Sequence, residues 1–321
     1  QQRISFLPHF DGWDAAQGQF PLEPILDYFE DWFHKTSYYG DSFPRLWLNF
    51  GAGILAGALG ASLRVDSNTI WFEPDPGYDW EILSRPIQIN NFWWQWISQL
   101  TEQAAKRWQG AVAIGRTDLG GGLDILASLR GTENLLLDVT LQPDWVEKQA
   151  EMITQRWLEA YYQLEEYIPA ERFGSSCWAP MWCPGRYYML QSDFSYMISP
   201  QMFERFVMPD LETICRKLDY AFYHLDGKGQ LNHLDLLLAM ENLDGIQWVP
   251  GDGAPPPQDW LEILHRIRSA GKLCQLFVEP VGALRIAREL GPQGFTFMIN
   301  PPPLEEDIPG FLKELDGYSG E

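Results

Sequence analysis

The stretch Asp219-Tyr220-Ala221-Phe222-Tyr223-His224-Leu225-Asp226-Gly227-Lys228-Gly229, running on through His233 to Gly253, decides how the rest of the chain is read. Asp219 to Tyr223 is an apolar, aromatic run suited to a buried strand, and it stops at a His-x-Asp-Gly tip where glycine permits a sharp turn. Leu231, Leu234, Leu237 and Leu238 then recur at helical spacing. Gly245-Ile246-Gln247-Trp248-Val249-Pro250 reads as the next strand and ends in Gly251-Asp252-Gly253. Strand, helix, strand is a βαβ unit, and ligands in such folds sit at the carboxyl ends of the strands. His224, Asp226, Gln247 and Asp252 fall there.

The pattern continues towards the C-terminus. A Pro-led helix from Gln258 to Ala270 is followed by a strand from Lys272 to Val278 that ends at Glu279-Pro280. A helix from Val281 to Leu290, a strand from Phe295 to Ile299 and a helix from Glu305 to Leu315 complete it. This alternation without internal linkers predicts an α/β fold, a single (β/α)8 TIM-type barrel over residues 45–321. Residues 1–44, aromatic and acidic with a helical stretch near Ile25 to His34, read as an N-terminal helical extension capping the same domain.

Upstream, Arg45 to Phe50 and Thr69 to Pro74 read as strands around Gly51-Ala52-Gly53-Ile54-Leu55-Ala56-Gly57. Strand, glycine turn and acidic residue resemble a dinucleotide fingerprint, but a lone glycine pattern reads more plainly as tight turn packing. Asn91 to Trp108 is an aromatic helix, and Ala111 to Gly115 is a strand that releases Arg116, Thr117 and Asp118 into a glycine-rich loop. Leu123 to Arg130 and Trp145 to Tyr167 read as helices, and Arg172 to Trp178 and Tyr187 to Asp193 as extended. Ser199-Pro200 opens a further helix, with Ser199 as its cap.

With 23 basic against 44 acidic residues the formal charge is -21, which repels a phosphate backbone and argues against a nucleic-acid partner. No apolar run reaches bilayer length, and the N-terminus lacks the basic-then-apolar pattern of a secretory signal. These features predict a soluble, cytoplasmic protein with no membrane association. Cys177, Cys183, Cys215 and Cys274 are scattered and form no CxxC pair, so reduced thiols are expected. Fifteen tryptophans, several beside prolines, suggest a pocket wall for a ring-bearing or apolar ligand.

The runs His224-Leu225-Asp226-Gly227, His233-Leu234-Asp235 and Asp244 to Gly251 resemble members of the uroporphyrinogen decarboxylase-like superfamily. So do Gly115 to Gly121, Arg130 to Leu135, and Gln191 to Ser195 with Ser199 to Phe203. The resemblance covers most of the chain from Asp41 onward. It implies a (β/α)8 barrel, commonly a homodimer, with its site in the barrel mouth. The superfamily holds cofactor-free porphyrinogen decarboxylases and zinc-dependent methyltransferases that move methyl groups to or from a corrinoid or thiol. An Arg-rich N-terminal signature of the decarboxylases is missing, since Arg45, Arg64 and Arg85 are scattered. In the methyltransferases a His-x-Cys pair at the tip matching His224-Leu225-Asp226 holds the zinc. Here Asp226 stands at the cysteine position, and no cysteine falls near Asn300 where a later one is expected. The resemblance therefore implies a harder zinc site of His224 and Asp226, with Glu279 as a third ligand.

Asp118, Asp193, Asp226 and Glu279 all lie at expected strand ends, where converging carboxylates can hold a metal or divide acid and base roles. Their plainer duties are capping the following helix or pairing with an arginine. Catalytic candidates are Asp226, His224, Asp118 and Asp193, whereas His233 reads as helical and structural. Arg116 and Arg186 can bind a substrate carboxylate bidentately or neutralise buried acids. Trp178, Trp182 and Trp248 can stack on a substrate ring or pack at the barrel rim, and Gln247 is a further contact.

Three functions remain open at this point. The first is metal-assisted methyl transfer from a small aromatic ether or amine to a separate corrinoid protein or thiol. The second is metal-free acid-base chemistry, as a decarboxylase, lyase or glycoside-type hydrolase acting on a ring-bearing substrate. The third is a non-catalytic small-molecule binder.

Overall fold

A computed structural model describes residues 22–47, 49–65, 70–87 and 92–318. The expected N-terminal cap therefore lies outside the described residues up to residue 21, and its helix is observed as Leu22–Lys35. The chain divides into two compact units, residues 1–188 with 205–219, and residues 189–204 with 220–321.

The first unit is mostly helical. Its strands are β1 (Arg45–Leu46), β2 (Ser62–Val65), β3 (Ile70–Glu73) and β4 (Ala113–Ile114), with β5 (Tyr187–Gln191) running across the unit boundary. Strands β1 and β4 pair in parallel, and Gly115 bridges in parallel to Ser176. Strands β2 and β3 form an antiparallel hairpin. The strands on either side of the glycine turn, β1 and β3, lie in different sheets, so among the described residues they do not form the parallel pair of a dinucleotide-binding βαβ unit. The predicted Trp145 to Tyr167 helix is Pro143–Glu165, with proline in its first turn, and a separate helix Thr132–Leu141 precedes it.

The second unit carries the regular alternation read from the sequence. Strands β6 (Tyr220–Asp226), β7 (Gly245–Val249), β8 (Leu273–Val278) and β9 (Phe295–Ile299) pair successively in parallel, and β5 precedes them in the sheet order. Helices Leu234–Ala239, Leu261–Ser269 and Pro280–Leu290 make the crossovers. Tyr223, Leu225, Ile246, Trp248, Cys274 and Leu276 are all fully buried. Each such apolar side chain contributes roughly 1.5–3 kcal/mol on removal from water. Successive residues of a strand face opposite ways, so His224, Gln247 and Gln275 share the other face. Among the described residues no closed eight-stranded barrel is formed; the architecture is mixed α/β with parallel sheets.

Candidate metal centre

Three side chains at the carboxyl ends of β5 and β6 converge. One ligand atom each from Asp193, His224 and Asp226 lies within 4.8 Å of the others. Asp226 ends β6, and His224 precedes it by two residues and therefore shares its face. After Asp226 the chain turns at Gly227, whose φ of 77° favours glycine. The Gly227 amide donates to the Val249 carbonyl at 2.8 Å, tying this tip to the end of β7. A Cβ on Gly251 would stand 3.3 Å from the Gly227 Cα, so the two tips approach where neither carries a side chain.

Asp193 starts the short turn Asp193–Met197 beyond β5. Ser195 within that turn is fully buried, and its hydroxyl donates to the Ser192 carbonyl at 2.6 Å. The Ser195 carbonyl accepts from His233 Nε2 at 2.8 Å. The His233 ring stacks on Phe203 at 4.4 Å, and burial holds its pKa below the ordinary histidine value. His233 is thus a neutral strut for the turn that carries Asp193, in keeping with its structural reading. Ser199 caps the next helix as expected, its hydroxyl accepting from the Met202 amide at 3.2 Å.

The charged groups of the cluster act on one another. The Asp193 carboxyl is held above its ordinary value, first because surrounding protein strips water from it, with His224 opposing the shift and Asp226 adding to it. By residue exposure Asp193 is nevertheless open to solvent, while His224 and Asp226 are half-buried. On the protein side, Gln247 Oε1 meets His224 Nδ1. An imidazole whose Nδ1 donates to such an oxygen would hold Nε2 as the nitrogen available to a metal. Gln247 in turn donates from Nε2 to Gln275 Oε1 at 2.8 Å, and both glutamines are fully buried. A groove of about 440 Å³ opens beside Asp226, lined also by Val249, Pro250, Asp252 and Pro255.

The other expected site residues are placed differently. Glu279 is outside the ligand group; it is exposed and stands at the start of helix Pro280–Leu290. Asp118 is also outside it, its Oδ1 accepting from the Gly120 amide at 2.9 Å in a local turn. Arg116 is placed as in the alternative reading, beside an acid of the protein. Its side chain is fully buried, ion-paired with Glu165, bonded to the Ser175 hydroxyl at 3.1 Å and 4.5 Å from the Tyr161 ring. Arg186 pairs with Asp219 through contacts of 3.3 and 3.4 Å.

Trp248 is placed in packing, the alternative to stacking on a substrate. It is fully buried, on the face of β7 opposite Gln247, packed edge-on against Trp260 at 5.4 Å. Trp182 donates to the Phe173 carbonyl at 3.0 Å and lines a cavity of only about 10 Å³. Trp178 is half-buried, and its carbonyl accepts from Arg45 at 3.4 Å. Two residues were missed by sequence reasoning. Gln275 looks like one more core residue of β8, and only its register with Gln247 reveals it. Tyr196 is largely exposed, and its ring covers Gly229, where a Cβ would stand 2.5 Å from it.

No protein-family model matches the chain, and no curated protein matches it. Among solved structures it is similar to a methyltransferase from Methanosarcina mazei, with 13% identity and a TM-score of 0.57. The similarity covers 85% of this chain and 80% of that one. At that identity the likeness shows a shared fold.

Proposed function

We propose that the chain is a TIM-barrel-type enzyme of the uroporphyrinogen decarboxylase-like kind that transfers a methyl group with the help of a divalent metal, zinc or a harder ion. The observation that carries this reading is the convergence of Asp193, His224 and Asp226 at the ends of adjacent strands. One imidazole nitrogen and two carboxylate oxygens are a fitting donor set for zinc or a harder ion, and three protein ligands are the usual complement where a site stays open to substrate. The four cysteines are buried, and none belongs to the ligand group. A metal held there would act as a Lewis acid, polarising an ether oxygen or amine nitrogen of the methyl donor.

The protein's own part is positioning. His224 is oriented by Gln247, Asp193 by the turn that His233 braces, and Asp226 by the Gly227 corner. The groove beside Asp226 would take a small aromatic ether or amine, with a separate corrinoid protein or a thiol as methyl acceptor. Residues 45–321 would then act as one barrel domain, and the working form would be a homodimer. The fold shared with the methanogen methyltransferase supports this reading. No helix among the described residues is long and apolar enough to cross a membrane.

The test is elemental analysis of protein purified without chelator, followed by methyl-transfer assays with a free corrinoid as acceptor. Near-stoichiometric metal that is lost on His224→Ala supports the reading, and metal-free protein that cannot be loaded with zinc, manganese or cobalt sinks it. A second reading rests on the raised pKa of Asp193 beside Asp226. A carboxyl that keeps its proton can serve as a general acid, which suits a metal-free decarboxylase, lyase or hydrolase. Turnover that survives complete chelation would favour it.

A further inference from the structure

Arg45 is the first residue of β1, half-buried, and it forms no ion pair among the described residues. Arg116 of the same unit is buried too, but Glu165 balances it. Burial lowers the pKa of Arg45 to about 10, with the Cys177 thiol and the Tyr187 hydroxyl acting the other way. Tyr187 offers no counter-charge, because burial raises its own pKa well above the ordinary value. Nη1 of Arg45 donates to the Cys177 carbonyl and, at 3.4 Å, to the Trp178 carbonyl. The edge formed by Nε and Nη2 makes no hydrogen bond among the described residues. A cation drawn out of water without an acid beside it is costly.

Further donors are left over in the same place. Arg45 pairs with Ala113 and Leu46 with Ile114, and the Gly115 amide donates to the Leu46 carbonyl at 2.7 Å, which brings Trp47 level with Gly115. Gly115 in turn bridges in parallel to Ser176. Level residues of parallel strands share a face, and so do residues two apart on one strand, so Arg45, Trp47, Gly115, Thr117 and Ser176 look the same way. Gly115 leaves that face open, and Arg45 Nη1 lies over it, 3.3 Å from where a Cβ would stand. The guanidinium is 5.8 Å from the Trp47 ring. Trp47 Nε1 and the hydroxyls of Thr117 and Ser176 are buried atoms with no hydrogen-bond partner among the described residues. Thr117 is 5% exposed and Ser176 1%, and buried polar groups are nearly always paired.

We propose that Arg45, Trp47, Thr117 and Ser176 form a binding site for a small carboxylate. The open guanidinium edge presents two parallel N–H groups, which match the two oxygens of a carboxylate. The Trp47 N–H and the two hydroxyls supply donors for the remaining lone pairs. One negative charge balances one guanidinium, whereas a phosphate dianion adds a charge that a chain of net charge -21 opposes. Trp47 and Trp178, both half-buried, give the face an apolar component that suits a ring-bearing acid. All these residues belong to the first unit, and the site does not rest on reading Asp193, His224 and Asp226 as a metal centre.

The experiment is calorimetric titration of the whole chain with benzoate and, separately, inorganic phosphate, for wild type, Arg45→Met, Ser176→Ala and Trp47→Phe, and for wild type stripped of metal. Trp47→Phe keeps a ring and removes the N–H. The expected result is saturable benzoate binding, tighter than phosphate and unchanged by metal stripping. Arg45→Met weakens it about tenfold or more, and Ser176→Ala and Trp47→Phe about threefold each. Wild type that does not bind benzoate saturably overturns the proposal, as does an Arg45→Met protein with wild-type affinity or phosphate held more tightly than benzoate. Binding that disappears with the metal places the carboxylate at the metal centre and overturns it too. Should Arg45→Met fail to fold, Ser176→Ala and Trp47→Phe decide, and wild-type affinity in both overturns the proposal.

Discussion

Asp193 and Asp226, 33 residues apart in the chain, bring carboxylate oxygens within 4.8 Å of each other and of a ring nitrogen of His224. Two acids this close repel unless a proton or a cation stands between them; the pKa of Asp193 is raised first by burial, and Asp226 adds to the shift. Asp193→Asn and Asp226→Asn should each weaken divalent-metal uptake by more than about tenfold, because each removes a charged ligand. Glu279→Ala should leave uptake unchanged, since Glu279 is outside the group. Calorimetric titration with Zn²⁺ checks both, and equal losses in all three variants would return Glu279 to the ligand set.

Asp210 is a buried acid of the first unit, with a pKa pushed up to about 6 by burial, against the lowering effect of hydrogen bonds from the Thr154 hydroxyl and the Gly122 amide. Its folded pKa is raised, so the folded state holds the proton more tightly than the unfolded state. The sign follows: stability is greatest below pH ~4, falls as pH rises towards 6, and stays lower above that. At about 1.4 kcal/mol for each tenfold change in proton affinity, the loss is roughly 3 kcal/mol. Asp210→Asn should melt close to wild type near pH 4 and above it at pH 7.5. A melting-temperature difference that stays constant across that range would show that Asp210 does not titrate in the window.

Arg116 and Glu165 form an ion pair in which the guanidinium is fully buried. Glu165 also accepts from the Ala170 amide at 2.8 Å, so it is fixed where it stands. Removing one partner strands the other, and Arg116→Ala should cost about 3–5 kcal/mol of stability. Denaturant unfolding measures it. A variant as stable as wild type would reopen the substrate-anchor role that burial argues against.

Gly245 begins β7 directly beneath the Phe222 ring, and an added Cβ would stand 2.2 Å from a ring carbon. Gly245→Ala should therefore cost about 1–3 kcal/mol as overpacking. The double variant with Phe222→Leu should recover part of that loss, because the smaller side chain vacates the space. Additive costs in the double-mutant cycle would show that the two positions do not couple.

Much of the fold could be read from local pattern. The strand and helix bounds from Tyr220 to Gly317 lie within a few residues of those expected, because apolar periodicity there coincides with the burial that makes it. Upstream the pattern was less informative. Ser62–Val65 went unseen, and the strands read at Arg45 to Phe50 and Ala111 to Gly115 are ladders of only two residues each, β1 and β4. The helix Thr132–Leu141 was missed because its apolar residues are not confined to one face: Leu135 is buried while Leu137 and Leu141 are exposed.

By itself the sequence determined that parallel strands alternate with helices in the second half of the chain, and that His224 and Asp226 share a strand tip. Period-two alternation and a glycine corner are properties of neighbouring residues. Tertiary structure alone decided which residues meet there. Asp193 reaches the cluster through a turn that His233 holds from 38 residues away, and Gln275 reaches His224 across two strand registers. Burial decided equally which candidates were already committed, sealing Arg116 against Glu165 and Trp248 against Trp260. A side chain's chemistry is written in its name, but its availability depends on partners distant in the chain, and only packing brings those together.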